Sequence, residues 1–234
     1  MKYMGSKARI AKYILPIILK DRKSNQYYVE PFVGGFNMID KVSGNRIGSD
    51  INYYLIALFK ALQNGWLPPK NISEDEYNEI RVNKNKFKPE LVGYCGFQLS
   101  YGGKFFGGYR RDKIGIRNYS NEAYNNTIKQ IPYIMDIQLY NLNYKDVPLP
   151  INSIIYCDPP YINSTGYSEK FNHNEFYDWL REIGKHNTVF VSEYEMPDDF
   201  ECIWSKVVNN SLTKDTGSKQ GVEKLFIYNK NNEQ

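Results

Sequence analysis

Apolar positions along this chain fall into two rhythms. Ile10, Ile14, Ile17 and Ile18 recur at helical spacing, with Pro16 an awkward guest, and Phe176, Trp179, Leu180 and Ile183 share one face over 174–185. Short runs rich in β-branched and aromatic residues alternate with these stretches, at 27–29, 46–50, 137–142, 154–157 and 188–191. Further helices are expected over 36–42, over 53–63 closed by Gly65, and from Ser73, where Glu76 completes a capping-box signature. An apolar stretch follows at 91–99, then a helix over 120–137 interrupted by Pro132. The runs 201–208 and 222–228 resemble a closing hairpin, joined by a long polar loop carrying Lys214 and Lys219. Strands alternating with helices predict an α/β fold with a largely parallel sheet.

The run Ile154-Ile155-Tyr156-Cys157 leads directly into Asp158-Pro159-Pro160-Tyr161. An unbroken apolar run of this kind reads as a buried strand. Pro159 must stop it, because proline has no N–H and a fixed φ. Asp158, preceding a proline, is held extended at the strand's end. The result is a stiff ledge bearing a carboxylate, carbonyls and a phenol ring. Ligands of open α/β sheets bind at the carboxyl ends of strands. Such a ledge suits an exocyclic aromatic amine, for example N6 of adenine. The Asp158 carboxylate accepts one amine hydrogen and the Pro159 carbonyl the other, which draws the lone pair out of the ring plane. Tyr161 offers a stacking face. Orientation and electrostatics then do most of the catalysis.

Composition narrows the reading. At 234 residues and 41% hydrophobic, the chain can bury a full core as one domain with an insertion. Its 21 Tyr and 12 Phe need burial or a stacking partner. Cys95, Cys157 and Cys202 are odd in number and lack a CxxC spacing, so they read as reduced and mostly buried in a cytosolic protein. His173 and His186 do not fall at ligand spacing from them, so no metal is expected. No stretch resembles a signal peptide or a membrane span.

The net charge of +4 says little by itself, but it is unevenly spread. Between Arg81 and Arg117 nine Lys or Arg face two acids, Glu90 and Asp112, which leaves the rest of the chain net negative. There Tyr101-Gly-Gly-Lys104-Phe105-Phe106-Gly-Gly-Tyr109-Arg110-Arg111-Asp112-Lys113 interleaves cations and aromatics on glycine-loosened loops. That pattern suits phosphate contact and base stacking; a solvated basic loop is the plainer alternative. Near the start, Lys2-Tyr3-Met4-Gly5-Ser6-Lys7 is a basic, flexible element. Glu30-Pro31-Phe32-Val33-Gly34-Gly35 places a glycine pair after a strand, where backbone can approach a ligand, although GxGxxG is not met. Asp50, ending the second short strand, suits a ribose diol or the N-cap of the following helix.

These motifs together resemble the Dam-type (D12 class) DNA adenine-N6 methyltransferases, closest to the solitary phage and prophage enzymes. The matching stretches are KYMGSK (2–7), YVEPFVGG (28–35), SDIN (49–52), GGKFFGGYRRD (102–112), IIYCDPPY (154–161), VSEY (191–194) and VEKLFIYN (222–229), in the family's order. The resemblance implies a Rossmann-like sheet that binds S-adenosyl-L-methionine, with a mainly helical target-recognition insertion. The catalytic domain would comprise 1–63 and 136–234, and the DNA-binding insertion 64–135. Tyr3, Lys7, Glu30, Phe32, Gly34, Gly35, Asp50 and Asp158 would serve the cofactor. Asp158, Pro159, Pro160 and Tyr161 would hold a flipped adenine of double-stranded DNA. Tyr101, Lys104, Phe105, Tyr109, Arg110, Arg111, Lys113, Arg117 and Lys214 would meet DNA. A cytoplasmic, nucleoid-associated protein of a bacterial host is implied, monomeric in solution with dimerisation on DNA as the alternative.

Two departures stand out. The family carries a third glycine where this chain has Phe36, whose ring is expected under the loop. FQLSYGGKFFGGYRRD replaces the Asn-Gly-x-x-Arg pattern of GATC-specific relatives, so GATC is not assumed. Two other readings remain. Glutamine-amide methylation ordinarily uses Asn in place of Asp158 and leaves the basic insertion unexplained. A DNA-binding protein without catalysis has Phe36 as its sequence hint.

Overall fold

The computed structural model describes residues 1–112, 114–161, 171–209 and 220–229. Seven strands form one sheet: β1 (Tyr28–Glu30), β2 (Arg46–Ser49), β3 (Ile137–Tyr140), β4 (Ile154–Cys157), β5 (Thr188–Ser192), β6 (Phe200–Asn209) and β7 (Gln220–Tyr228). Their order is β3-β2-β1-β4-β5-β7-β6. The first five are parallel, and β7 runs antiparallel between β5 and β6. The chain order reverses between β1 and β4, which pair Tyr28 with Ile154 and Val29 with Ile155. The crevice at such a switch point is where open α/β sheets take ligands, and the Asp-Pro-Pro-Tyr ledge leaves β4 there.

Both faces of the central strands are covered, which explains their lack of polar alternation. Tyr28, Ile154 and Tyr156 point into one core, and Val29, Ile155 and Cys157 into the other. The first core is capped by α1 (Ala11–Ile18) and α2 (Tyr53–Gln63), the second by α6 (His173–Gly184), which buries Phe176 and Leu180. Helices α3 (Glu74–Val82), α4 (Pro89–Gln98) and α5 (Tyr119–Ile134) come from the expected insertion. They do not fold apart from the sheet: Tyr77, Ile80, Tyr94, Phe97 and Ile134 share the core of Tyr28 and Ile154. Gly93 of α4 lies so close to α2 that a Cβ there would sit 2.1 Å from the Tyr54 carbonyl oxygen. The capping box at Ser73 and Glu76 forms as read. No helix among the described residues is long and apolar enough to cross a membrane.

The helix expected over 36–42 is not there. Phe36 adopts φ 62°, which breaks any helix at its start, and a single 3-10 turn at Ile39–Lys41 follows. A left-handed non-glycine residue costs about 1–2 kcal/mol. Full burial of the Phe36 ring, stacked on Phe59 with centroids 3.5 Å apart, offsets that strain. Cys95 and Cys157 are buried free thiols, whereas Cys202 is exposed on the hairpin.

Candidate active site

Asp158 sits at the switch point, one residue past β4. Its carboxylate is 2.9 Å from the Lys7 ammonium, which is 7% exposed. Lys7 also lies 3.8 Å from Glu223 on β7, 4.5 Å from the Tyr161 ring centroid, and donates to the Gly5 carbonyl at 3.3 Å. The Tyr161 hydroxyl donates to Glu223 Oε2 at 3.1 Å, and the ring meets Tyr194 edge-on. His173 Nε2 lies 3.1 Å from the Pro160 carbonyl, which holds the ledge from behind. Burial pushes the Asp158 carboxyl up from its ordinary range; Lys7 pulls it back and Glu223 pushes it up further. Burial opposes the charge on Lys7 too, but Asp158 and Glu223 outweigh it and hold the ammonium protonated.

The second part of the crevice lies at the ends of β1 and β2. Asp50 accepts hydrogen bonds from the backbone N–H of Gly34 at 3.1 Å and of Asn52 at 2.9 Å. Its carboxyl is pushed up to about 6 by burial, against the pull of those two donors. Asp50 is therefore not the cap of α2; Asn52 is, accepting from the Leu55 N–H. Beside it Ile51 is 73% exposed, and Tyr53 is exposed as well. Glu30 turns inward: it is buried, accepts from the Tyr28 hydroxyl at 2.8 Å, and burial pushes its carboxyl far up. Phe32 joins the aromatic cluster of Tyr144, Phe171 and Phe176. The glycine pair makes room for Tyr3. A Cβ on Gly34 would meet the Tyr3 ring at 2.8 Å, and one on Gly35 the Tyr3 Cβ at 2.5 Å. Tyr3 in turn stacks on Phe97 of α4.

Comparison with known proteins decides what this crevice belongs to. The family model for D12 class N6 adenine-specific DNA methyltransferases matches residues 3–190. The chain belongs to that family. It is 24% identical over 217 residues to the type II methyltransferase M.FokI of Planomicrobium okeanokoites, covering 77% of this chain and 31% of that one. It is 22% identical over 258 residues to the modification methylase StsI of Streptococcus sanguinis, covering 99% of this chain and 38% of the other. The chain thus spans about a third of the length of these curated relatives. Among solved structures, a putative class I S-adenosylmethionine-dependent methyltransferase from Listeria monocytogenes superposes with a TM-score of 0.43 at 12% identity, over 99% of this chain and 62% of that chain.

For a D12-class chain, the residues expected to meet DNA divide sharply. Tyr101 is 67% exposed and Lys104 is exposed. Arg111 and Arg117 are exposed but paired, with Glu74 at 2.5 Å and Glu122 at 2.8 Å. Three others are engaged within the protein. Phe105 packs on Phe97 and Tyr54 against Gly96 of α4. The Tyr109 hydroxyl donates to the Ile72 carbonyl at 2.6 Å. Arg110 is 8% exposed, with its guanidinium 4.2 Å from the Tyr119 ring centroid and 3.6 Å from Glu122. Burial claims these side chains because the GGKFFGG turn folds back on α4 rather than projecting from it. Lys113 and Lys214 lie outside the described residues.

Sequence reasoning missed Glu223, which reaches Tyr161 and Lys7, and the exposed Ile51 beside Asp50. Glu223 stood within a matching stretch, VEKLFIYN, but nothing local marks a strand glutamate as facing a site 62 residues earlier. Ile51 carried a signal, since an apolar residue between Asp50 and Asn52 has no core periodicity to satisfy.

Proposed function

We propose that this chain transfers a methyl group from S-adenosylmethionine to N6 of an adenine flipped out of double-stranded DNA. The observation that carries the reading is the Asp158 carboxylate, held at the β1–β4 switch point by Lys7 within a chain of the D12 class. N6 is buried in the base pair, so the base must leave the stack, at a cost of a few kcal/mol.

The crevice fits the donor. An acid at the end of β2 suits two vicinal hydroxyls, and the exposed Ile51 beside it offers an apolar surface for a flat heterocycle. Asp50 would hold the ribose, and Tyr3 and Gly34 would wall the passage towards Asp158. When bound, S-adenosylmethionine supplies an electrophilic methyl group.

The chain's own residues do the rest. Asp158 accepts one hydrogen of N6 and the Pro159 carbonyl the other, so the amine turns its lone pair towards the methyl carbon. Lys7 keeps Asp158 ionised despite burial, and only the ionised form accepts without competing as a donor. Tyr161 presents its ring to the base, held in place through its hydroxyl by Glu223. No strong base is required, because the methylated cationic nitrogen loses its proton readily. Exposed Tyr101 and Lys104, with Arg111 and Arg117, would meet the duplex.

The test is transfer of labelled methyl from S-adenosylmethionine to a duplex of random sequence, followed by nucleoside analysis. Label in N6-methyladenine is expected. Label in cytosine, or in protein glutamine, would refute the reading.

A further inference from the structure

We propose that Glu223 is a positioning residue for methyl transfer: it fixes Tyr161 and shares Lys7 with Asp158, leaving the pocket one negative charge that Lys7 does not cancel. The inference rests on the adenine-methylating reading above. Glu223 lies on β7, in register opposite Lys206 on β6. Opposite charges so placed ordinarily pair across the strands. Here the Lys206 ammonium instead lies 3.6 Å from the centroid of the Tyr13 ring, where Lys12 also converges. Glu223 turns away to the ledge. One of its oxygens accepts the Tyr161 hydroxyl at 3.1 Å and stands 3.8 Å from Lys7. Its side chain is only 18% exposed, so these contacts are made largely out of water.

The charge count gives the arrangement its purpose. Among the described residues, Asp158 and Glu223 are two acids around one ammonium. During transfer the carbon–sulfur bond breaks as the carbon–nitrogen bond forms, so the positive charge of the sulfonium passes to N6 and a neutral thioether leaves. The cationic nitrogen then releases a proton to solvent. The reacting pair carries one positive charge until that release. A pocket holding only Asp158 and Lys7 would be neutral towards it; with Glu223 the pocket opposes it with a negative charge.

Among the described residues, three charged or titratable groups face Asp158: Lys7 from the N-terminal segment, Tyr161 from the ledge, and Glu223 from β7. Tyr194, after β5, touches Tyr161 from the side, and Glu30 and Tyr156 lie beneath. Among these Lys7 lowers the Asp158 carboxyl and Glu223 raises it. Glu223→Gln keeps an acceptor for Tyr161 and removes the charge. Its kcat should fall about tenfold to a hundredfold, with KM for DNA little changed. The acid limb of its kcat–pH profile should move to lower pH, because Asp158 loses a negative neighbour. The Glu223→Gln/Tyr161→Phe double variant should lose little more than the worse single variant. Lys206→Ala should behave as wild type. The Tyr161 ζ-carbon resonance, assigned by its disappearance in Tyr161→Phe, should shift in Glu223→Gln without any turnover. Wild-type kcat with an unmoved acid limb in Glu223→Gln would overturn the proposal. So would an equal loss in Lys206→Ala, which would mark Glu223 as a hairpin-stabilising residue. A wild type that methylates no DNA, yet whose Tyr161 signal still moves with Glu223, would refute the parent reading and not the contact.

Discussion

Replacing Lys7 by methionine removes the ammonium at the centre of the site while keeping most of its buried volume. Lys7 is 2.9 Å from Asp158 and 3.8 Å from Glu223. At an effective dielectric constant near 20 these contacts are worth about 6 and about 4 kcal/mol of attraction. Desolvation and the mutual repulsion of the acids consume much of that gain. Breaking a buried pair by removing one partner nonetheless costs about 3–5 kcal/mol, because a charge is left uncompensated. Asp158 has one escape, which is to bind a proton. In the unfolded chain it ionises near its ordinary value of about 3.9. In the folded variant burial and the Glu223 charge hold it above that value, with nothing left from Lys7 to pull it down. Between those two values the folded state binds more protons than the unfolded one, so the variant's stability rises as pH falls. Urea denaturation at pH 8 should therefore show Lys7→Met about 3–5 kcal/mol below wild type. The gap should narrow by up to about 1.4 kcal/mol for each pH unit through which Asp158 holds its proton. In parallel, the acid limb of methyl transfer should move to higher pH. A stability gap under about 1 kcal/mol, in the range of an exposed ion pair, would refute the reasoning. A gap independent of pH, with an unmoved acid limb, would refute it as well.

Asp50→Asn should weaken cofactor binding by about tenfold to a hundredfold, measured by calorimetry, since a charged acceptor is replaced by a neutral one. The wild-type carboxyl titrates at about 6, and hydroxyl donors favour its ionised form, so wild-type affinity should fall as pH drops below 6 while that of the variant stays flat. Phe36→Gly should relieve about 1–2 kcal/mol of left-handed strain but lose about 3–5 kcal/mol of ring burial, for a net loss of about 2 kcal/mol in chemical denaturation. Lys104→Ala should weaken DNA binding evenly across sequences and flatten its salt slope by about one unit. Arg110→Ala should instead lower the melting temperature, because it empties a stacked, buried site over Tyr119; a purely DNA-binding defect there would contradict its placement.

The fold was legible where periodicity and burial agree. The strand 154–157, the helix beginning at Tyr53 and the capping box at Ser73 followed from local pattern, and the Asp158 ledge followed from proline chemistry alone. The helix over 36–42 misled because its apolar residues have helical spacing while Phe36 takes a backbone conformation that sequence reserves for glycine. Lys7 was marked by the family motif, but its direct pairing with Asp158 was not, since 151 positions separate them. The basic insertion reads two ways for a physical reason. Aromatics and cations beside glycines describe a stacking platform in solvent equally well as a turn folded onto a helix. Gly96, which admits the Phe105 ring against α4, selects the second for Phe105, and the bond to Ile72 selects it for Tyr109.

The central claim is that the Asp158 ledge methylates adenine N6 in DNA. It is tested most directly by expressing the chain in a host free of DNA methylation and sequencing the genome for N6-methyladenine, beside an Asp158→Ala variant expressed to the same level. The account predicts N6-methyladenine confined to one short sequence context in the wild-type host and none above background with Asp158→Ala. A genome without the mark, or a mark that persists at wild-type level in Asp158→Ala, would contradict it.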